Sequence, residues 1–433
     1  MRSTTLIAVL ALSSPGSVAT AQANPGSAAS AASSANAAYL ANLPNDPVRI
    51  LVSRLDLEQY KATIKGLTQF GDRRQGTDRN RKAVDWIEAQ LKSYGCTNTE
   101  RVVYQYTGRQ LRNDSTDRFD SLAGHPRRAP RRDSTAGRTL DGVRYDSAGN
   151  VIKGHRARTG VDTNPLLQPD TALRRINAQW DTPGERQEVF CTKVGATHPE
   201  EMYIVGAHMD GHGYGAAAND DGSGTALVME LARVFSSRDV RTDRSIRFAL
   251  WNNEETGLNG AHAYVDQRKA LQGIEKPKGS GRYPEPKWLG MIQHDMMLWD
   301  HGMPGPDSTL NPEQRREADV NIEFRDTSKF AAKAQQLAWF FRKMNDKFAT
   351  DYPAAVGDRM TNTDSDPFMQ FTPAISLREN ERRAQTGSGW NPTWHQPIDV
   401  YSTFSDKDFR LGLNAAQTTL AGVAALAGGR VGK

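Results

Sequence analysis

Short, almost wholly apolar runs alternate along this chain with longer segments in which apolar residues recur every three or four positions. The runs at 202–207, 246–251, 288–293 and 374–377 are too short for helices and read as buried strands. Residues 100–106 alternate polar and apolar positions like a half-buried strand, and 187–194 form another strand-like stretch. A turn is expected at 197–200. Helical spacing marks 54–70, 78–94, 224–235, 257–271, 327–348 and a terminal helix from Asp406. In the second of these, Val84, Ile87, Leu91 and Tyr94 share one face and Gly95 supplies the stop. Apolar strands alternating with helices predict an α/β fold, a mainly parallel mixed sheet sandwiched by helices. In such sheets the chemistry gathers at the carboxyl ends of the strands.

The periodicity fails between residues 108 and 185, where Arg, Asp, Gly, Pro and Ser take over. So long a stretch without pattern reads as a flexible, Arg-rich insertion within one domain covering 45–433. It accounts for the mean hydropathy of −0.65, low for a compact globule, and for much of the charge of +5. Arg127, Arg128, Arg131, Arg132, Arg138, Arg144, Arg156 and Arg158 carry that excess. No aromatic residues interleave them in the manner that stacks bases, and no helix-turn-helix or finger pattern is present, so a nucleic-acid partner is not expected. A solvated face is the plain reading, and a patch for anionic envelope surfaces the sharper one.

At the amino terminus, Arg2 precedes the apolar stretch 6–12, and Ala21-Gln22-Ala23 offers a small-x-small cleavage site. Residues 1–23 therefore read as a signal peptide and 24–44 as an Ala/Ser-rich leader, which implies a secreted or periplasmic protein. No apolar run approaches the roughly 18 residues that span a bilayer. Export gives the two cysteines a meaning. An oxidising compartment permits one bridge between Cys96 and Cys191, worth at most about 4.7 kcal/mol for a loop of about 100 residues. The alternative is two free thiols.

Candidate chemistry collects at the strand ends. His208 and Asp210 follow the run 202–207, and Asp220 lies in the Gly/Asp-rich loop before the next helix. Glu254 and Glu255 follow 246–251, Asp295 follows 288–293, and His395 follows the last strand. Any one of these is ordinarily a cap or a turn residue; together they make a structural role improbable. Two adjacent carboxylates repel unless a cation or a shared proton holds them. Mixed imidazole and carboxylate ligands suit zinc or a similar divalent ion. The donors are too many for one open site, and a bridging carboxylate would allow two ions about 3.5–4 Å apart. His294 points to the other face of its strand, and His212, His262 and His301 read as surface or supporting residues.

His208-Met209-Asp210, Asn219-Asp220-Asp221-Gly222-Ser223-Gly224, Glu254-Glu255-Thr256-Gly257-Leu258-Asn259-Gly260 and Trp394-His395 resemble the motifs of the M28 zinc aminopeptidases, in the same order. The resemblance runs over most of the chain from about Leu51, the insertion excepted. It implies two Zn2+ ions, one on His208, Asp220 and Asp295 and the other on Asp220, Glu255 and His395, with Asp220 bridging. It implies Glu254 as general acid/base and Asp210 as the carboxylate that orients the His208 ring. Asp366 matches a Ser-Asp-His stretch of the family with Pro367 in place of the His, and Tyr352 is a candidate for the hydroxyl that stabilises the oxyanion.

The expected activity is that of an exported aminopeptidase acting on peptides. Glutaminyl cyclase chemistry, carboxypeptidase action and an inactive binding ectodomain on the same scaffold are the alternatives. The sequence assigns no substrate-binding residue and no oligomeric state; Trp390 and Trp394 suit a pocket wall or ordinary packing equally.

Overall fold

A computed structural model describes residues 46–108, 165–299, 320–360, 362–379, 391 and 393–432. The expected signal peptide, the leader, most of the expected insertion, His301 and Trp390 lie outside the described residues. In chain order the strands are β1 (Thr99–Tyr106), β2 (Gly184–Lys193), β3 (His198–His208), β4 (Val240–Arg241), β5 (Arg244–Trp251), β6 (Lys287–His294), β7 (Val320–Glu323), β8 (Ala354–Gly357), β9 (Ala374–Arg378) and β10 (Arg430–Val431). The α-helices are α1 (Pro47–Val52), α2 (Leu57–Thr68), α3 (Asp78–Ser93), α4 (Thr171–Ile176), α5 (Gly222–Phe235), α6 (Asn259–Arg268), α7 (Ala331–Phe348) and α8 (Asp406–Ala427).

Among the described residues, eight strands form one sheet in the order β1-β2-β5-β3-β6-β9-β7-β8, and β4 pairs with β10 apart from it. The centre, β5-β3-β6-β9, is parallel, while β1, β2 and the β9–β7 junction are antiparallel. The central strands feed both faces, as the two-residue pleat requires. Val205, Ala207, Phe248, Leu250 and Ile292 enter a core with α2, α3, α5, α7 and α8. Ile204, Ala249, Trp251 and Met291 enter a second core with α6 and Phe368. The expected sheet sandwiched by helices is therefore present. Helix α5 lies inside the fold with all but one of its residues buried, and its charged pair Glu230 and Arg233 bond each other.

Side-chain caps start the helices where the sequence changes period. Asp56 accepts the Gln59 N–H for α2, Thr77 the Asn80 N–H for α3, and Ser405 with Asp408 forms a capping box on α8. Cys96 and Cys191 are bridged, Cα to Cα 6.0 Å, which ties the end of α3 to β2. Five regions differ from the expectation. His198 already belongs to β3, although its pairing shifts register before Met202, so 197–200 is not a plain turn. The short elements α1, β7 and β8 fall below the length at which periodicity is readable. The stretch expected to be insertion ends earlier than residue 185: α4 is folded, with Leu173 buried. Gln168 Nε2 also donates to the carbonyls of Tyr214 (2.9 Å) and Pro397 (2.8 Å), and Asn177 Nδ2 to that of Gly215 (2.7 Å). Among the described residues no helix is long and apolar enough to cross a membrane.

Candidate metal centre

β5, β3 and β6 are parallel neighbours, so their carboxyl ends open on the same edge of the sheet. His208 is the last residue of β3, Glu254 and Glu255 lie just past β5, and Asp295 directly follows β6. Asp220 comes from the turn that starts α5, and His395 from the turns before α8. The six side chains converge. Asp220 Oδ1 lies 3.3 Å from His208 Nε2, and its Oδ2 lies 3.1 Å from His395 Nε2. Glu255 Oε2 is 2.8 Å from His395 Nε2, and Asp295 Oδ1 is 3.9 Å from His208 Nε2. Ligand atoms of His208, Glu254 and Asp295 lie within 4.8 Å of one another, as do those of His208, Asp220 and Glu255.

Buried polar residues hold this cluster in place. Asp399 accepts the backbone N–H groups of Asn219 (2.8 Å) and Asp220 (3.1 Å). Asn219 accepts from Met297 and Leu298 and donates to Glu379 at 2.7 Å. Asp221 caps α5 through Gly224 and also accepts the N–H of His208 and Met296. The buried Arg73 guanidinium donates to the carbonyls of Met209, Ala216 and Ala217 at 2.7–2.8 Å, which fixes the loop after β3. Arg378 Nη2 holds the other oxygen of Asp295 at 3.2 Å.

Charge within the cluster is unbalanced. Burial alone would raise the carboxyls of Asp220, Glu255 and Asp295, but the neighbouring cations overcome it. The imidazoles of His208 and His395 hold Asp220 below the usual carboxylate range. His212 and His395 bring Glu255 to about 2, and Arg378 with His208 bring Asp295 to about 2. His395, despite its own burial, is pushed up to about 10 by Glu255 and Asp220. Glu254 goes the other way: burial, Glu255, Asp364 and Asp295 push it well above an ordinary glutamate. Asp364 is raised for the same reasons. Several donor atoms here are buried without a hydrogen-bond partner, among them Glu255 Oε1, Asp364 Oδ1, His395 Nδ1 and His212 Nε2. Excess buried carboxylate, imidazoles turned toward it and orphaned oxygens together fit a divalent cation.

Four side chains stand differently from the expectation. The Asp210 carboxylate does not hold the His208 ring: His208 Nδ1 donates to the Asp210 main-chain carbonyl at 2.9 Å, and the carboxylate is 3.9 Å away. The chain turns immediately after β3, so the carbonyl reaches the ring first. It still fixes the tautomer, because a carbonyl only accepts and Nε2 is left for Asp220. Asp210 Oδ1 instead accepts the Glu254 backbone N–H at 3.0 Å. Asp366 begins a 3₁₀ turn that carries it outward to Arg325, 2.5 Å away. Asp364, two residues earlier, is the carboxylate that reaches the centre, and Gln293 Nε2 donates to it at 3.3 Å. Tyr352 donates its hydroxyl to the Lys407 carbonyl (3.2 Å), tied to α8 rather than aimed at the cluster. His294 faces away as expected, between the Gly206 carbonyl and Thr419. His212, expected as a surface or supporting residue, stands with its Nε2 3.0 Å from Glu255 Oε2. Its place in Gly211-His212-Gly213, four positions past a strand-end His, is the one signal the sequence offered.

The sequence model of Peptidase family M28 matches residues 189–417, from β2 through most of α8. The chain belongs to peptidase family M28. This M28 chain is 39% identical over 137 residues to leupeptin-inactivating enzyme 1 of Streptomyces exfoliatus, covering 32% of the chain and 28% of that protein. It is 45% identical over 105 residues to aminopeptidase YwaD of Bacillus subtilis (strain 168), covering 24% of the chain and 22% of the relative. The chain thus spans only about a quarter of the length of these relatives. Among solved structures, BSAP, a zinc aminopeptidase from Bacillus subtilis, superposes with a TM-score of 0.55 at 17% identity, over 88% of this chain and 96% of that one. At that identity the likeness speaks for the fold alone.

Proposed function

We propose that this M28 chain is an exported, metal-dependent aminopeptidase that holds two divalent ions, zinc by its donor set. His208, Asp220 and Asp295 would hold one ion, and Asp220, Glu255 and His395 the other. The observation that carries this reading is the division of Asp220: each carboxylate oxygen faces a different imidazole, His208 Nε2 at 3.3 Å and His395 Nε2 at 3.1 Å. That arrangement suits a carboxylate shared between two ions, one oxygen toward each imidazole. When bound, the ions supply a water of lowered pKa and a Lewis acid for the scissile carbonyl.

The chain's own residues do the rest. Glu254 takes the proton of the attacking water and returns it to the leaving amine. Its surroundings suit both halves of that exchange, since burial and three carboxylates favour its protonated form while a nearby cation favours the ionised one. Asp210 fixes where Glu254 starts by accepting its backbone N–H. Asp295 presents one oxygen to the centre because Arg378 occupies the other. Export is supported by the amino-terminal pattern and by the Cys96–Cys191 bridge.

The test is elemental analysis of the purified protein together with digestion of three probes: an aminoacyl anilide, its N-acetylated form and a glutaminyl peptide. Two ions per chain and cleavage of the free anilide alone are expected. Cyclisation of the glutaminyl peptide without anilide cleavage would replace the peptidase reading with acyl transfer. Protein that holds no metal and cleaves nothing after zinc is restored would be a binding scaffold.

A further inference from the structure

We infer that His212 is a donor to the ion at the His395 end of the centre, which makes that end a four-side-chain site of His212, Glu255, His395 and Asp220. The inference rests on the two-ion reading above and goes beyond the ligands that reading assigns. The His212 ring is nearly covered, with a tenth of its side chain accessible, and its Nε2 lies 3.0 Å from Glu255 Oε2 without hydrogen-bond geometry. It meets the His395 ring edge-on, centroids 4.2 Å apart at 81°. Ligand atoms of His212, Glu255 and His395 all fall within 4.8 Å of one another.

The backbone imposes this placement. Gly211 packs against the Asp220 carbonyl and Gly213, at φ +95, against the main chain of His395, where any Cβ would collide. The loop that carries both glycines is clamped on either side of them by Arg73 on the carbonyls of Met209, Ala216 and Ala217. His212 therefore sits between two enforced close approaches, one to each loop that carries a neighbouring donor. Four protein donors close an ion's sphere, while three leave a position for water or substrate. The His208 end, with His208, Asp220 and Asp295, is then the open one. The His395 end, rich in nitrogen, should hold zinc, nickel or cobalt well and magnesium or manganese poorly.

Cobalt titration of metal-free full-length protein tests this, read by visible absorption and by competition with a chelator. His212→Ala should weaken one of the two cobalt sites by about tenfold or more and shift its bands, with the other unchanged. X-ray absorption of the zinc-loaded wild type, which needs no variant to fold, should count three imidazoles per chain. A count of two, or a His212→Ala protein with wild-type affinity and spectrum, overturns the inference. So does weaker affinity with unshifted bands, because His212 would then only hydrogen-bond Glu255. His395→Ala and Asp220→Ala serve as controls: if they too keep both ions, the two-ion reading fails rather than the role of His212.

Discussion

Arg247 and Glu285 are buried as deeply as Glu254, yet the two clusters handle charge on different terms. Arg247, on β5, meets Glu285 at 2.5 Å, bonds Tyr264, and donates to Thr192 at 3.0 Å. Glu285 also accepts from Tyr264 (2.7 Å) and the Trp288 indole (2.5 Å), and the guanidinium lies over the Phe190 ring at 4.1 Å. One cation meets one anion, and the remaining polar atoms find partners. A few residues further along β5 the balance fails. The carboxylates of Asp220, Glu254, Glu255, Asp295 and Asp364 gather around the imidazoles of His208, His212 and His395 and around Arg378, and oxygens are left over. The comparison separates buried charge that completes itself, which is structure, from buried charge that stays incomplete, which is a place for an ion.

The largest difference should appear in turnover. Glu254→Gln removes the proposed proton carrier and leaves every proposed ligand, so kcat should fall by about 10²–10⁴-fold with metal content unchanged. Near-normal turnover would place the acid/base elsewhere. The complementary substitution is Arg247→Met, which strands the Glu285 carboxylate and should cost about 3–5 kcal/mol in urea unfolding. Its folded fraction should keep wild-type metal content, and adding Glu285→Leu should recover part of the loss. Metal loss from Arg247→Met itself would mean the two clusters are not independent.

Ion removal sharpens the contrast from the other side. At a free-ion concentration 100 times Kd, a bound ion adds about 2.7 kcal/mol per site, so dialysis against chelator should lower the thermal midpoint. The Arg247→Met protein should lose the same increment as the wild type, since its defect lies elsewhere. A midpoint that ignores chelator would deny the centre its ion.

The smallest effect belongs to partly solvated charge. Glu88 is held at about 2, burial notwithstanding, by Lys92, Arg101 and Thr99. A carboxylate lowered on folding stabilises above its unfolded value near 4.5, and that contribution disappears as pH falls toward 2. Glu88→Gln should therefore flatten stability between about pH 4.5 and about pH 2, by no more than about 1 kcal/mol at neutral pH. Urea midpoints at the two ends of that window measure it.

The central strands were legible because burial on both faces leaves a run such as 246–251 with almost no polar residue to confuse it. The edge strands β7 and β8 were not, since four residues hold too little pattern. The same divide runs through the centre. His208, Asp220, Glu255, Asp295, His395 and Glu254 could be named because each stands at a strand or loop end with its residue type intact, and the structure brings all six together. Asp364 was passed over for Asp366, because two aspartates two positions apart look alike until a 3₁₀ turn faces one inward and the other toward Arg325.

By itself the sequence determined which donors this protein owns and at which strand ends they lie, because pleat and helical period are local properties of the chain. Only the tertiary structure decided what each donor faces. Asp210 turned from holding a ring to holding the Glu254 backbone, and His212 moved from the background to within 3.0 Å of Glu255. Those outcomes depend on loops separated by more than a hundred residues and pressed together by Arg73, Asp399 and two glycines, contacts that no local pattern encodes.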